Sequence, residues 1–118
     1  MTIAPEAPVA TRWTGVCDVD ALLPGRGACA LLDGHQIAVF RLVDGRVFAV
    51  GNYDPYGRAF VISRGIVGSR GDAPTVASPL YKQVFDLRTG RCLDDPDGPA
   101  LLTYPVRVNI GKIEVSLQ

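Results

Sequence analysis

The sequence predicts a single all-β domain of antiparallel strands. Three observations point there. Thirteen glycines and nine prolines punctuate short runs rich in Val, Ile, Leu and aromatic residues, which is the strand-and-turn pattern. Asp33-Gly34 and Asp44-Gly45 each stand between apolar runs, a strong short-range hairpin signal. No segment sustains a helical period over three turns. At 118 residues the chain reads as one domain, large enough to bury its own core.

The elements follow in order. Residues 1–10 read as a flexible N-terminal tail, and residues 11–118 as the domain. Trp13 to Cys17 reads as a first strand. Gly27 to Leu32 and Gln36 to Leu42 flank Asp33-Gly34, and after Asp44-Gly45 the run Arg46 to Val50 returns. A short helical turn is expected near Arg58 to Ser63. Arg88-Thr89-Gly90 turns between Val84-Phe85-Asp86 and Arg91-Cys92-Leu93. Tyr104 to Asn109 and Lys112 to Leu117 pair around Ile110-Gly111. Asp94 to Pro99 is a tight acidic loop, read as a solvated turn rather than a cation site. No internal repeat or second domain is visible.

Composition excludes several classes of function. Hydrophobic residues make up 47% of the chain, too many for a disordered protein. Twelve basic and twelve acidic residues leave zero net charge, and no basic run stands out. Nucleic acid and anionic membrane surfaces, which need an electrostatic footprint, are not expected partners. The apolar runs are far shorter than the roughly 20 residues that span a bilayer. The start, Met1 to Pro8, lacks a basic stretch followed by an apolar one, so a cytoplasmic location is expected. Cys17, Cys29 and Cys92 are widely spaced and form no Cys-x-x-Cys. They read as buried, reduced thiols. His35 follows the Asp33-Gly34 turn and reads as a solvated turn residue. Nothing supplies the third, orienting group that a Cys/His nucleophile needs.

Two segments remain. Asn52-Tyr53-Asp54 follows the run Val47 to Gly51, and Ser78-Pro79-Leu80-Tyr81 precedes Phe85-Asp86-Leu87-Arg88-Thr89-Gly90. They stand where a Rieske domain reads Cys-x-His and Cys-x-x-His. The frame also includes Leu23-Pro24-Gly25-Arg26-Gly27 and Ile62-Ser63-Arg64-Gly65-Ile66-Val67-Gly68. On these residues the chain resembles the Rieske-like small subunit of the assimilatory NAD(P)H-dependent nitrite reductase, over about residues 13–117. The resemblance implies an antiparallel Rieske-like β-sandwich or barrel. A small subdomain, about residues 50–93, would be inserted in it and would lack the iron–sulfur cluster.

The chemistry of the four positions agrees with the resemblance. A [2Fe–2S] cluster needs thiolates on one iron, with imidazoles on the other in Rieske centres. Asn52, Asp54, Ser78 and Tyr81 offer an amide, a carboxylate, a hydroxyl and a phenol. They are expected to fill the old cavity with hydrogen bonds and to bind no metal. The resemblance further implies a non-catalytic subunit with no cofactor of its own. Its partner would be the large nitrite reductase subunit, which carries FAD, a [4Fe–4S] cluster and sirohaem and reduces nitrite to ammonia. Tyr53, Tyr56, Arg58, Arg64 and Tyr81 are the candidate partner-binding residues, because tyrosine and arginine dominate interface hot spots. Two alternatives stand beside this: a Rieske-type ferredoxin electron carrier, and a stand-alone metal-binding module using Asn52, Asp54 and Tyr81.

Overall fold

The structure, a computed structural model, describes residues 12–117. The tail expected over residues 1–10 lies outside the described residues. Among the described residues twelve strands follow one another: β1 (Thr14–Asp18), β2 (Arg26–Leu32), β3 (His35–Arg41), β4 (Val47–Gly51), β5 (Tyr53–Asp54), β6 (Ala59–Phe60), β7 (Ile66–Arg70), β8 (Ala73–Ala77), β9 (Val84–Asp86), β10 (Thr103–Tyr104), β11 (Val106–Asn109) and β12 (Lys112–Val115). Two short 3-10 turns, Val19–Ala21 and Ile62–Arg64, complete the list. The second begins a few residues later than the helical turn expected from Arg58.

All strand pairings are antiparallel and form four sheets: β1-β12-β11, β10-β4-β3-β2, β5-β6 and β7-β8-β9. The β2–β3 hairpin closes through Asp33 and Gly34, both with positive φ (49° and 81°). That is the type I′ turn whose twist matches its strands. Ile110 and Gly111 repeat this geometry (φ 50° and 73°) between β11 and β12. The β3–β4 turn is longer: the Leu42 N–H donates to the Arg46 carbonyl and Gly45 sits at φ 95°.

β3 explains how the layers stack. Its side chains alternate, yet Ile37, Ala38, Val39 and Phe40 are all buried. Ile37 and Val39 join Leu22, Ala49, Ile113 and Val115 in one core, between the four-stranded sheet and the β1-β12-β11 sheet. Ala38 and Phe40 point the other way, into a second core with Val50, Ile62, Val76, Phe85, Leu87, Cys92 and Leu101. The four-stranded sheet is therefore covered on both faces, which is why β3 reads as a continuous apolar run. The N- and C-terminal strands build the base. The unit from β5 to β9 is inserted between β4 and β10 and sits on the sheet's second face.

The Phe85 to Gly90 element is a structural turn. Asp86 is buried, accepts the Arg88 N–H at 2.8 Å, and is gripped by the Arg88 guanidinium at 3.0 and 3.1 Å. Arg88 holds its carboxyl below the usual range, against the opposing effect of burial. Gly90 has φ 78°, and a Cβ there would lie 2.1 Å from the Leu101 carbonyl oxygen. Only glycine meets both demands.

Two expectations follow. Asp86 has a folded pKa below its unfolded value of about 3.9, so its stabilisation is complete above that value and lost as pH falls through the folded one. Asp86→Asn should flatten the acid limb of stability, read from urea midpoints between about pH 2 and pH 6. Ile110 is β-branched, left-handed and 93% exposed. Ile110→Asn should raise stability by about 1 kcal/mol, seen as a higher urea midpoint with unchanged slope.

Candidate functional site

The two loops singled out in the sequence lie side by side, and two of their four marked residues, Asp54 and Ser78, meet. Asn52 leaves the end of β4, with its N–H donating to the Gln36 carbonyl at 3.0 Å. Its side chain is 2% exposed and fully engaged. Oδ1 accepts the Ser63 N–H at 2.7 Å, and Nδ2 donates to Gln36 Oε1 at 3.1 Å and to Cys29 Sγ at 3.5 Å. Asn52 thus ties the first loop to the 3-10 turn Ile62–Arg64 and to the β2–β3 hairpin.

Asp54 and Ser78 form the link between the loops. The Asp54 carboxylate is buried, and its Oδ1 accepts the Tyr56 and Gly57 N–H groups at 2.8 and 3.1 Å. This is an Asx turn. Its Oδ2 accepts the hydroxyl of buried Ser78, and the Ser78 oxygen accepts the Leu80 N–H at 3.3 Å. Each loop is also closed in the same way through its backbone. The Arg58 N–H donates to the Asp54 carbonyl at 2.7 Å, and the Lys82 N–H to the Ser78 carbonyl at 3.2 Å. Both Arg58 and Lys82 take the left-handed conformation, at φ 57° and 65°.

Tyr81 stands apart from this network. Of its two expected places, the old cavity and the exposed partner-binding surface, it takes the second. Leu80 packs over Gly57 instead: a Cβ on Gly57 would lie 2.5 Å from Leu80 Cδ1 and 2.9 Å from Asp54 Oδ2. Tyr56 needs a correction. Placed by sequence at an exposed tip, it is half-buried, with its ring 6.1 Å from Phe85 and its hydroxyl donating to Asp95 at 2.8 Å. Burial, then the Asp95 hydrogen bond, pushes its phenol well above the ordinary tyrosine range. Tyr53, Arg58 and Arg64 are exposed as expected. The acidic loop serves as a brace, since Asp95 holds Tyr56 and Asp94 accepts from Arg70 at 2.9 Å and from the Val84 N–H at 3.2 Å.

The cysteines divide. Cys92 is buried, Cys17 is half-buried with its thiol pushed up chiefly by burial, and Cys29 is exposed. The expectation of three buried thiols therefore fails at Cys29, which lies on edge strand β2. Gln36, Ser63, Cys29 and Gly57 are site residues that sequence reasoning missed. Only Gln36 left a signal: the Asp33-Gly34 turn fixes the hairpin register that carries it toward the end of β4.

These residues do not fit an iron–sulfur cluster. Two thiols touch the first loop, Cys29 at the Asn52 amide and Cys92 at the Tyr56 hydroxyl, while Cys17 packs against the base core on the other side of the sheet. His35 is exposed at the start of β3. The Asn52 amide and the Asp54 carboxylate are already saturated by donors and acceptors of the chain. A site that asks for two thiolates and two imidazoles finds an amide, a carboxylate, a hydroxyl and a phenol at its four ligand positions. Among the described residues no three His, Cys, Asp or Glu groups converge.

Residues 12–116 match the family model of the Rieske-like [2Fe-2S] domain. The chain is 40% identical over 106 residues to the nitrite reductase (NADH) small subunit of Salmonella typhimurium, covering 89% of this chain and 97% of that protein. It is 43% identical over 106 residues to a part of the nitrite reductase [NAD(P)H] large subunit of Klebsiella oxytoca, covering 90% of this chain and 11% of that protein. A crystal structure from Mycobacterium tuberculosis, assigned as a NADH-dependent nitrite reductase small subunit, superposes with a TM-score of 0.87. It is 52% identical, over 91% of this chain and 96% of that one.

The link between the loops has a measurable weight. Ser78→Ala leaves the buried Asp54 Oδ2 without its hydroxyl donor and should cost about 1–3 kcal/mol in chemical denaturation. Adding Asp54→Asn should cost less than the sum of the single changes, because the two residues share one interaction.

Proposed function

The chain belongs to the Rieske-like [2Fe-2S] domain family and, within it, to the nitrite reductase small subunits, and on that footing we propose a non-catalytic subunit that binds and stabilises the large chain. The large chain would carry FAD, a [4Fe–4S] cluster and sirohaem, take hydride from NADH or NADPH, and reduce nitrite to ammonia. The small subunit would carry no cluster and work in the cytoplasm.

One observation supports the partnership above the others. In Klebsiella oxytoca a segment 43% identical to this chain forms part of a nitrite reductase large subunit. A domain joined covalently to a large chain in one organism has reason to sit beside the corresponding chain in another. The geometry of the loops supports the absence of chemistry. Their polar groups are spent on one another, and no nucleophile, base and orienting group come together. What the loops offer is a fixed surface, already ordered before any partner arrives, which lowers the entropic cost of association. Among the described residues no helix is long and apolar enough to cross a membrane.

Co-expression of this chain with the large subunit of its own host tests the partnership. The two should elute together in size-exclusion chromatography, and nitrite-dependent NAD(P)H oxidation should be lost faster on warming when the small chain is left out. The isolated small chain should stay colourless and iron-free after anaerobic reconstitution with ferrous iron and sulfide. A brown product with two irons per chain would restore the ferredoxin reading. Separate elution, with a large subunit equally stable alone, would remove the proposed role.

A further inference from the structure

The β5–β6 hairpin displays more apolar surface than its own fold uses. Tyr53 and Phe60 face each other across it, ring centroids 5.0 Å apart and tilted by 59°. They remain 42% and 55% exposed, and neither belongs to the two buried cores. Leu102, 67% exposed, stands across a groove of about 170 Å³ whose walls also include His35 and Tyr104. No Asp, Glu, Lys or Arg side chain lines that groove. Three large apolar side chains grouped around one groove without a charged wall give a partner a seat that the chain itself leaves uncovered.

The turn of the same hairpin adds a charge. Arg58 is exposed and left-handed, and among the described residues it has no carboxylate partner. Its backbone is fixed by the Asp54 carbonyl, so the guanidinium is presented from a rigid loop. The hairpin therefore offers an aromatic pair flanked by one uncompensated cation. The complementary surface is an apolar seat edged by a carboxylate.

We propose that this hairpin, with Tyr53, Phe60 and Leu102 as the apolar centre and Arg58 at its edge, is where the chain docks on the large nitrite reductase subunit. The proposal rests on the small-subunit reading above, and the occupant follows from the fused Klebsiella relative and from the charge left unpaired on the hairpin. It moves the centre of contact away from Tyr56, which is tied down inside the chain, and away from the exposed Tyr81.

The test uses the assembled complex. Wild-type and variant small chains are titrated against the cofactor-loaded large subunit by isothermal calorimetry, after melting curves of each variant alone. Phe60→Ser with Leu102→Ser should weaken binding at least tenfold. Val43→Ser, at a still more exposed apolar residue on the β3–β4 turn, should change it less than twofold. Arg58→Glu touches no packed side chain, so it stays informative if the double variant melts early; it should also weaken binding at least tenfold, more at low salt than at high. Binding within twofold of wild type for Arg58→Glu and for a folded double variant would overturn this location while leaving the small-subunit reading intact. Absence of wild-type binding would remove that reading and this proposal together. Sedimentation of the isolated chain gives one further arm. A wild-type dimer dissolved by Phe60→Ser would make a second copy the occupant and overturn the assignment to the large chain.

Discussion

Ser78 donates its hydroxyl to the Asp54 carboxylate across two loops that no strand pairing joins. The first loop belongs to the β5-β6 ribbon and the second leads out of β8. Among the described residues it is the hydrogen bond that joins the two loops directly. Both groups are buried, so the bond lies away from water, where leaving either partner unmatched is costly. The geometry on either side of the bond follows from it. Asp54 faces Ser78 because its other oxygen caps Tyr56 and Gly57, and Leu80 covers the pair because Gly57 has no side chain. The position of Arg58, and with it the presentation of the β5–β6 hairpin, depends on that bond staying made.

The sheet beneath the loops transmits that order to the rest of the domain. Alternate residues of β3 feed two different cores, so the inserted unit and the base share one strand as a wall. Asn52 extends the coupling by polar means, since its amide reaches Gln36 and Cys29 on the β2–β3 hairpin while its carbonyl oxygen holds Ser63. A domain of this size has a small margin of stability, and a single wall serving two cores is an economical way to keep both units in register. It also means that a cavity at Phe40 would be felt in the loops even though no loop residue is changed.

The parts of the structure legible in the sequence are those set by local rules. Asp33-Gly34 turned where it had to, because a type I′ turn requires two positive φ angles and few residue pairs accept them. Ile110-Gly111 was placed by pairing the flanking runs, although a β-branched residue is the wrong local chemistry for its φ. The contents of the site were less legible, because they depend on contacts far apart in the chain. Asn52 could be marked as a non-ligand from its side chain alone, but its partners Gln36 and Ser63 are brought in by pairing register and by a 3-10 turn. Cys29 reads as apolar and buried until β2 is known to be an edge strand. Tyr56 turned inward and Tyr81 stayed outside the cavity for a similar reason. Whether an aromatic ring faces Phe85 or water depends on the direction in which a loop leaves its strand, and composition does not carry that direction.

Arg58 and Lys82 show how each loop is closed. Left-handed backbone is unfavourable for a long, non-glycine side chain, yet both loops adopt it at the fourth residue after their buried anchor, Asp54 or Ser78. In both loops the N–H that reaches back four residues to a carbonyl belongs to the residue that turns the chain out of the bend, and its left-handed backbone stops the turn from continuing as helix. The anchors need to be only short polar groups that cap the next turn, a role a carboxylate and a hydroxyl fill without metal. Loops closed through their backbones and joined through their anchors keep their shape independently of a bound group. In such a domain the outward surface is ordered by the chain's own hydrogen bonds, so what the loops present is set before any partner arrives.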